Sequence, residues 1–539
     1  MKKIGTLNAL LAIFALFVSM LCFASKAQAQ EIYTANEKSL ARHYAVPDWF
    51  RDAKLGIYFT WGPYTVAAKG NEWYPRWMHF KVPPESWQGK KPGYHIELLD
   101  WHTQNFGHPS EFAYHDMIPR FTAEHFDAAE WVDLFELAGA KFAGPVAMHH
   151  DGYALWDSQI TPWNSANIGP KRDITGEITA ELRKRGMKLI TTFHHARNLQ
   201  RYKGQSYERA LQKYGHLDMY HMYWNSHFPW VDGLATSSND PELAILYGNM
   251  EEEEWIDTFW LGSLKEVVDR YQPDIVWFDT WLDLIPEQAR FEFASYYLNA
   301  AGRWGKDVMI THKDRDMPYS FSVEDFEQGR RDKLTNLPWL TDDTISKQSW
   351  SYIEGLEIKP ASWVLHDFID IVSKNGQLSL NISPKFDGTI PEDQKAVLKE
   401  LGNWLHINGE AIYKTRPWKI FGEGPTKMSN SGHFTKHVDY TAQDIRFTQN
   451  DNTLYAIALG MPHEEILISS LSLNNSLEHD AVTSVKSLNG NYIEYWKQDM
   501  DGLRIKLKAN SPSQLAYAFS IQWEKRNDDL VSFTNSGGN

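Results

Sequence analysis

Cysteine is nearly absent from this chain: among 539 residues only Cys22 carries a thiol. It lies inside an N-terminal apolar run, so the chain beyond it offers no thiol nucleophile, no thiolate metal site and no disulfide. Its fold must rest on core size. Long apolar runs are equally scarce. Leu10 to Phe23 is short for a membrane span, and no later stretch approaches the ~20 residues such a span needs. Basic residues are outnumbered, Lys+Arg 54 against Asp+Glu 69, for a net charge of −15. That balance argues against a phosphate-backbone partner, so no nucleic acid is expected. No glycine-rich phosphate loop follows the first strand-like segment.

What is present begins with an address. Lys2 and Lys3 precede the apolar run, and Ala27-Gln28-Ala29 follows it, the order of a secretory signal over residues 1–29. Export to the periplasm or the medium is expected, with no integral membrane segment once the signal is removed. Losing Lys2, Lys3 and Lys26 leaves a net charge of about −18. The rest is rich in rings, 23 Trp, 25 Tyr and 27 Phe. Ring faces bind sugar C–H surfaces, and they also fill cores.

Through the middle of the chain, apolar strands alternate with helical spacing. Asp127 and Glu130 frame a capped helix start, Gly139 ends that run, and Phe142 to Met148 reads as a strand ending in His149-His150. A helix over about 174–185 leads to the strand Met187 to Phe193 and then His194-His195. A helix over about 255–271 leads to Ile275-Val276-Trp277-Phe278 and Asp279. Asp307 to Ile310 runs into His312, Gln377 to Leu380 into Asn381, and Leu55 to Phe59 into Thr60-Trp61. Repeated strand–helix units predict a (β/α)₈-type barrel over residues 30–425, with a doubly wound sheet as the alternative. Polar residues recurring at the strands' C-terminal ends favour the barrel, whose sites are built there. From Thr426 short alternating runs separated by Asn/Gly/Asp turns predict an antiparallel β-sandwich over 426–526. A loose tail is expected over 527–539.

Several of these strand-end residues are chemically capable. Asp279 at the mouth of a buried strand reads either as a catalytic carboxylate or as a helix-capping aspartate. Glu327 reads as a second reactive carboxylate or as a surface group paired with Arg330 or Arg331. Adjacent strand residues face opposite ways, so each His pair supplies one inward ring unless the strand has already ended. The pairs could bind a polyhydroxylated ligand, serve structure, or combine as zinc ligands, although no His-x-x-x-His spacing supports the last. Trp61, Trp73, Tyr74 and Trp77, interleaved with Glu72 and Arg76, form either a packing plug or a carbohydrate platform with one charged gripper.

Taken in order, the motifs resemble the α-L-fucosidases of glycoside hydrolase family 29. The matching segments are Trp49 to Ile57 with Trp61-Gly62-Pro63-Tyr64, His149 to Ser158, Asp274 to Asp279, and Leu378 to Gly388 with Gly402 to Tyr413. The resemblance implies a barrel followed by a β-sandwich, and retaining hydrolysis of terminal α-L-fucosyl groups on oligosaccharides or polysaccharides. It implies Asp279 as nucleophile and His149 and His150 as sugar contacts. It further implies Glu72-Trp73 as the gripping pair and Arg330 as a substrate-binding arginine, with no metal or organic cofactor. Trp277, two positions before Asp279, shares its strand face and would help wall the site, and His194 would join the sugar contacts.

Two positions depart from the family pattern. Thr60 stands where members usually carry His before Trp-Gly, so a sugar hydroxyl is held differently there. Leu340 follows Trp339 where many members carry a Glu read as the acid/base. The acid/base is therefore expected at Glu327, with Glu324 second. Three alternatives follow: α-L-galactosidase-like specificity on the same site, a carbohydrate-binding relative with weakened catalysis, and a metallohydrolase built on the histidines.

Overall fold

The computed structural model describes residues 32–43, 45–79, 98–201, 226–314, 316–462, 465–474 and 481–523; the expected signal over 1–29 and tail over 527–539 lie outside them. Eight parallel strands close a barrel in sequence order. They are β1 (Leu55–Phe59), β2 (Phe142–Met148), β3 (Lys188–Phe193), β4 (Ile275–Phe278), β5 (Met309–His312), β6 (Val323–Glu327), β7 (Trp339–Thr344) and β8 (Gly376–Ile382). β1 pairs with both β2 and β8, which closes the ring.

The barrel interior follows from strand alternation. Tyr58, Phe142, Val146, Ile190, Ile275, Trp277, Met309, Val323 and Leu340 form one apolar cluster inside. Their neighbours Ile57, Ala143, Val276, Phe278 and Ile310 pack outward against the helices. The helices are α1 (Ala128–Leu137), α2 (Ile174–Lys184), α3 (Leu261–Tyr271), α4 (Glu287–Trp304), α5 (Ala361–Ser373) and α6 (Glu392–Asn408). Asp127 starts α1 by accepting hydrogen bonds from the Ala129 and Glu130 N–H groups, and Asp173 starts α2 through the Gly176 N–H. The helical run expected over 255–271 divides, because Trp255–Trp260 winds as wider π turns before α3.

Among the described residues no long helix follows β5 or β6 before the next strand. A cavity of about 860 Å³ opens on that flank, lined by Ser322, Glu324, Arg331 and Leu337. It is larger than the cavity at the barrel mouth, yet the inward carboxylates described below do not reach it.

The C-terminal domain is two antiparallel sheets. One orders β13-β16-β11-β10-β9, the other β12-β15-β14. The strands are β9 (Arg416–Glu423), β10 (Ile445–Asn450), β11 (Thr453–Ala458), β12 (Glu465–Ile468), β13 (Val482–Ser487), β14 (Ile493–Gln498), β15 (Leu503–Leu507) and β16 (Tyr517–Trp523). Both sheets share one core, with Phe447, Leu454, Ile466, Ile505 and Phe519 among its residues. β9 pairs antiparallel with β10, so the sandwich begins ahead of the boundary expected at 426. Pro417 and two further ring residues, Trp418 and Phe421, masked its alternation. β11 is buried on both faces: Leu454 and Ala456 enter the sandwich core, while Tyr455 and Ile457 join the apolar cluster of the barrel's helices. The two domains therefore share packed surface.

Candidate active site

A cavity of about 510 Å³ lies at the C-terminal mouth of the barrel. Lys313 stands at its base, one residue past β5, with 1% of its side chain exposed. Its ammonium is 3.1 Å from Asp279 Oδ1 and 3.1 Å from Glu327 Oε2. It also lies 3.2 Å from Asp342 Oδ1 and 3.9 Å from Asp325 Oδ2. Alternation accounts for this convergence: Asp325 and Glu327 on β6 and Asp342 on β7 occupy the inward register shared by Val323 and Leu340. The facing oxygens of Asp279 and Glu327 can be no farther apart than twice the 3.1 Å contact each makes with Lys313.

The two carboxyls are driven in opposite directions. Burial acts to raise Asp279, but the Lys313 ammonium, His194 and His150 outweigh it and hold the carboxyl well below the usual aspartate range. Glu327 is pushed up to about 7 by burial and by the charges of Asp279 and Asp342, against the pull of Lys313. Asp325, beneath them, is raised well above its ordinary value by burial and by Asp342. Lys313 is itself held protonated, since its four carboxylate neighbours overcome its burial.

The histidines form the opposite wall. Both His149 and His150 line the cavity because β2 ends at Met148, so the two rings are released from strand alternation. His150 Nδ1 donates to the His194 carbonyl oxygen at 2.5 Å, and its Nε2 lies 3.5 Å from Asp279 Oδ2. Burial lowers all three rings, His194 to about 3. His195 turns away into the core, with Nε2 3.4 Å from the Trp260 carbonyl oxygen. His149 Nδ1, His194 Nδ1 and Trp277 Nε1 are buried without a hydrogen-bond partner among the described residues, a set of polar atoms suited to a hydroxyl-rich ligand. Among the described residues no group of three or more His, Cys, Asp or Glu side chains is arranged to hold a metal ion.

The aromatic cluster divides between cavity wall and core. Trp73 lines the cavity, its ring 4.8 Å from that of His150. Trp61, Tyr74 and Trp77 are core. Glu72 also lines the cavity and accepts hydrogen bonds from Ser349 Oγ and the Trp350 N–H, burial raising it to about 7. Arg76 holds the carbonyl oxygens of Ser226 and His227. Thr60 reaches the cavity wall, and both its hydroxyl and its N–H donate to Asn381 Oδ1 at 2.8 Å.

Arg330 is a correction. It does not line this cavity. Its guanidinium is buried against Asp367 and lies 3.8 Å from Asp370, outside the barrel. One residue of register separates it from the inward face, and the cation at the carboxylates is Lys313. Glu324, the second acid candidate, points outward and pairs with Arg331 and the Tyr319 hydroxyl. Leu340 is barrel core.

Lys313, Asp325 and Asp342 were missed, though counting alternate residues on from Met309, Val323 and Leu340 reaches all three. Arg197, with its guanidinium 4.9 Å from the Trp73 ring and 4.4 Å from the Trp281 ring, was also missed. So was backbone strain: Trp281, Asp314 and Phe434, all lining the cavity, and Gln328, next to Glu327, have φ between +43° and +74°.

Residues 20–410 match the model of the family described as alpha-L-fucosidase. The chain belongs to the alpha-L-fucosidase family. Residues 437–527 match the alpha-L-fucosidase C-terminal domain. The tissue alpha-L-fucosidase of Rattus norvegicus is 28% identical, over 92% of this chain and 94% of its own. That of Homo sapiens is 28% identical over 95% of both. The crystal structure of Thermotoga maritima alpha-fucosidase superposes with a TM-score of 0.67 at 25% identity, covering 91% of this chain and all of that one. A second structure of that protein, in complex with fucose, gives a TM-score of 0.65 at 26% identity over 90% and 99% of the two chains. This fucosidase is thus a glycosidase by family, with the barrel and sandwich expected of it.

Proposed function

We propose that the chain is an exported, retaining α-L-fucosidase that removes terminal α-L-fucosyl groups from glycans. The observation that carries the mechanism is the pair of carboxyls on one ammonium, one held ionised and the other held near neutrality. The facing oxygens lie within twice 3.1 Å of each other, compatible with the ~5–5.5 Å of retaining pairs. Asp279 attacks the anomeric carbon, forming a glycosyl ester as the bond to the leaving oxygen breaks. Glu327 gives its proton to that oxygen. The resulting Glu327 carboxylate then takes a proton from water, which attacks the anomeric carbon and frees Asp279.

Export is supported by the charged, apolar and small-residue order of residues 1–29. Recovery of a chain beginning after Ala29 from periplasm or medium is the expected result. For the reaction, proton NMR of an aryl α-L-fucoside digest should show α-L-fucose as the first-formed anomer. Asp279→Ala should abolish turnover. An aryl α-L-galactoside run in parallel reads the effect of Thr60 on specificity. First-formed β-fucose, or full turnover by the Asp279 variant, would overturn the mechanism.

A further inference from the structure

The connection from β9 to β10 of the sandwich reaches the catalytic mouth. Its residues 432–435 lie along the chain that follows β6. The Arg330 N–H donates to the Gly432 carbonyl oxygen and the Gly432 N–H to that of Arg330, both at 3.0 Å. The Phe434 N–H donates to the Glu327 carbonyl oxygen at 2.8 Å, and the Thr435 N–H to that of Gln328 at 3.0 Å. The Glu327 N–H in turn donates to His433 Nδ1 at 3.0 Å. A Cβ at Gly329 would meet the Gly432 carbonyl oxygen at 2.0 Å, so glycine is what admits this close approach. Arg330 is anchored from behind by Asp367.

This clamp carries an exposed ring. Phe434 is 62% exposed, holds a left-handed φ of +51°, and lines the same cavity as Asp279 and Glu327. A bulky ring held in strained backbone and left in water costs stability without return in the free protein. Its position supplies the return. If Glu327 protonates the leaving oxygen, the leaving group must depart on the Glu327 side, away from Asp279. There it meets the residue hydrogen-bonded to the Glu327 backbone.

We propose that residues 432–435 form the binding wall for the leaving group, and that Phe434 stacks on the pyranose ring of the sugar to which fucose is attached. This rests on the fucosidase reading and adds that the preferred substrates are fucosyl glycans with a ring-shaped acceptor sugar. Arg330 is a positioning residue for the wall.

The test compares α-L-fucosyl fluoride, whose leaving group has no ring to stack, with a fucosyl disaccharide. In Phe434→Ala the ratio of kcat/KM for the disaccharide to that for the fluoride should fall at least about tenfold. Phe434→Tyr should restore it. An Ala variant that leaves the ratio unchanged, or a Tyr variant as impaired as Ala, overturns the wall while the fucosidase reading stands. Wild-type protein inert on both substrates overturns the fucosidase reading and the wall with it.

Discussion

Lys313 holds its ammonium 3.1 Å from the Asp279 carboxylate in a setting where burial alone would favour the neutral acid. The cation is what keeps the proposed nucleophile ionised. An opposite charge at such range lowers an aspartate by about 1–3 units. Lys313→Met should therefore move the acid limb of kcat/KM upward by about that much. A pH–rate series on the folded variant reads it. An acid limb that stays in place would mean that the histidines, not Lys313, set the nucleophile.

Glu327 sets the other limb. In the proposed mechanism it works protonated in the first step, and its carboxyl is raised to about 7, so kcat/KM should fall as pH rises through that value. Glu327→Gln should lose this alkaline limb and about 10²–10⁴ in kcat on substrates with poor leaving groups. On an aryl fucoside with an activated leaving group, azide should restore turnover, yielding α-L-fucosyl azide. An alkaline limb that persists in the variant would assign the proton to another group, with Glu72, also in the cavity and also raised to about 7, the next candidate.

Much of this was legible beforehand, and the parts that were not share a cause. β2, β3 and β4 are buried on both faces and stand out as apolar runs between helices, so Asp279 and the histidines at their ends could be read directly. β6 and β7 carry Glu324, Asp325, Glu327, Asp342 and Asp343 within five- and six-residue strands. Their inward register is the acidic site itself, which erases the apolar signal that marks a strand. The docking of residues 432–435 on β6 was invisible because backbone hydrogen bonds across about a hundred residues leave only Gly329 and Gly432 as a trace.

The two domains are joined by a buried ionic knot. Asp370 on α5 accepts from Lys374 Nζ at 2.7 Å and from Arg446 Nε on β10 at 2.6 Å. Burial works to raise its carboxyl, but Arg446, Lys374 and Arg330 hold it below the ordinary aspartate value. A depressed acid contributes stability that is complete above the unfolded value of ~3.9 and lost as pH falls toward the folded one. Asp370→Asn leaves buried cations without their partner and should cost about 3–5 kcal/mol. It should also flatten the pH dependence of unfolding below pH 4. Chemical denaturation at pH 3 and pH 7 checks both, and a variant with an unchanged slope would remove Asp370 from the account.

The barrel's tolerance is narrowest between β2 and β3, the strands that carry His149, His150 and His194. A Cβ at Gly144 would lie 1.8 Å from the Ile190 carbonyl oxygen. That neighbour is backbone and cannot rotate aside. Gly144→Ala must part the two strands, stretching the His150 Nδ1 bond to the His194 carbonyl oxygen that spans them. The expected loss exceeds the ~1–3 kcal/mol of ordinary overpacking, and kcat/KM should fall with it. Gly186, just past α2, supplies the contrast. Its φ is +68° and nothing lies within 4 Å of its Cβ position, so Gly186→Ala carries only the conformational cost of about 1 kcal/mol. Thermal unfolding and fucoside kinetics on both variants decide the matter: equal losses would show that the contact yields and that β2–β3 spacing does not govern the histidine wall.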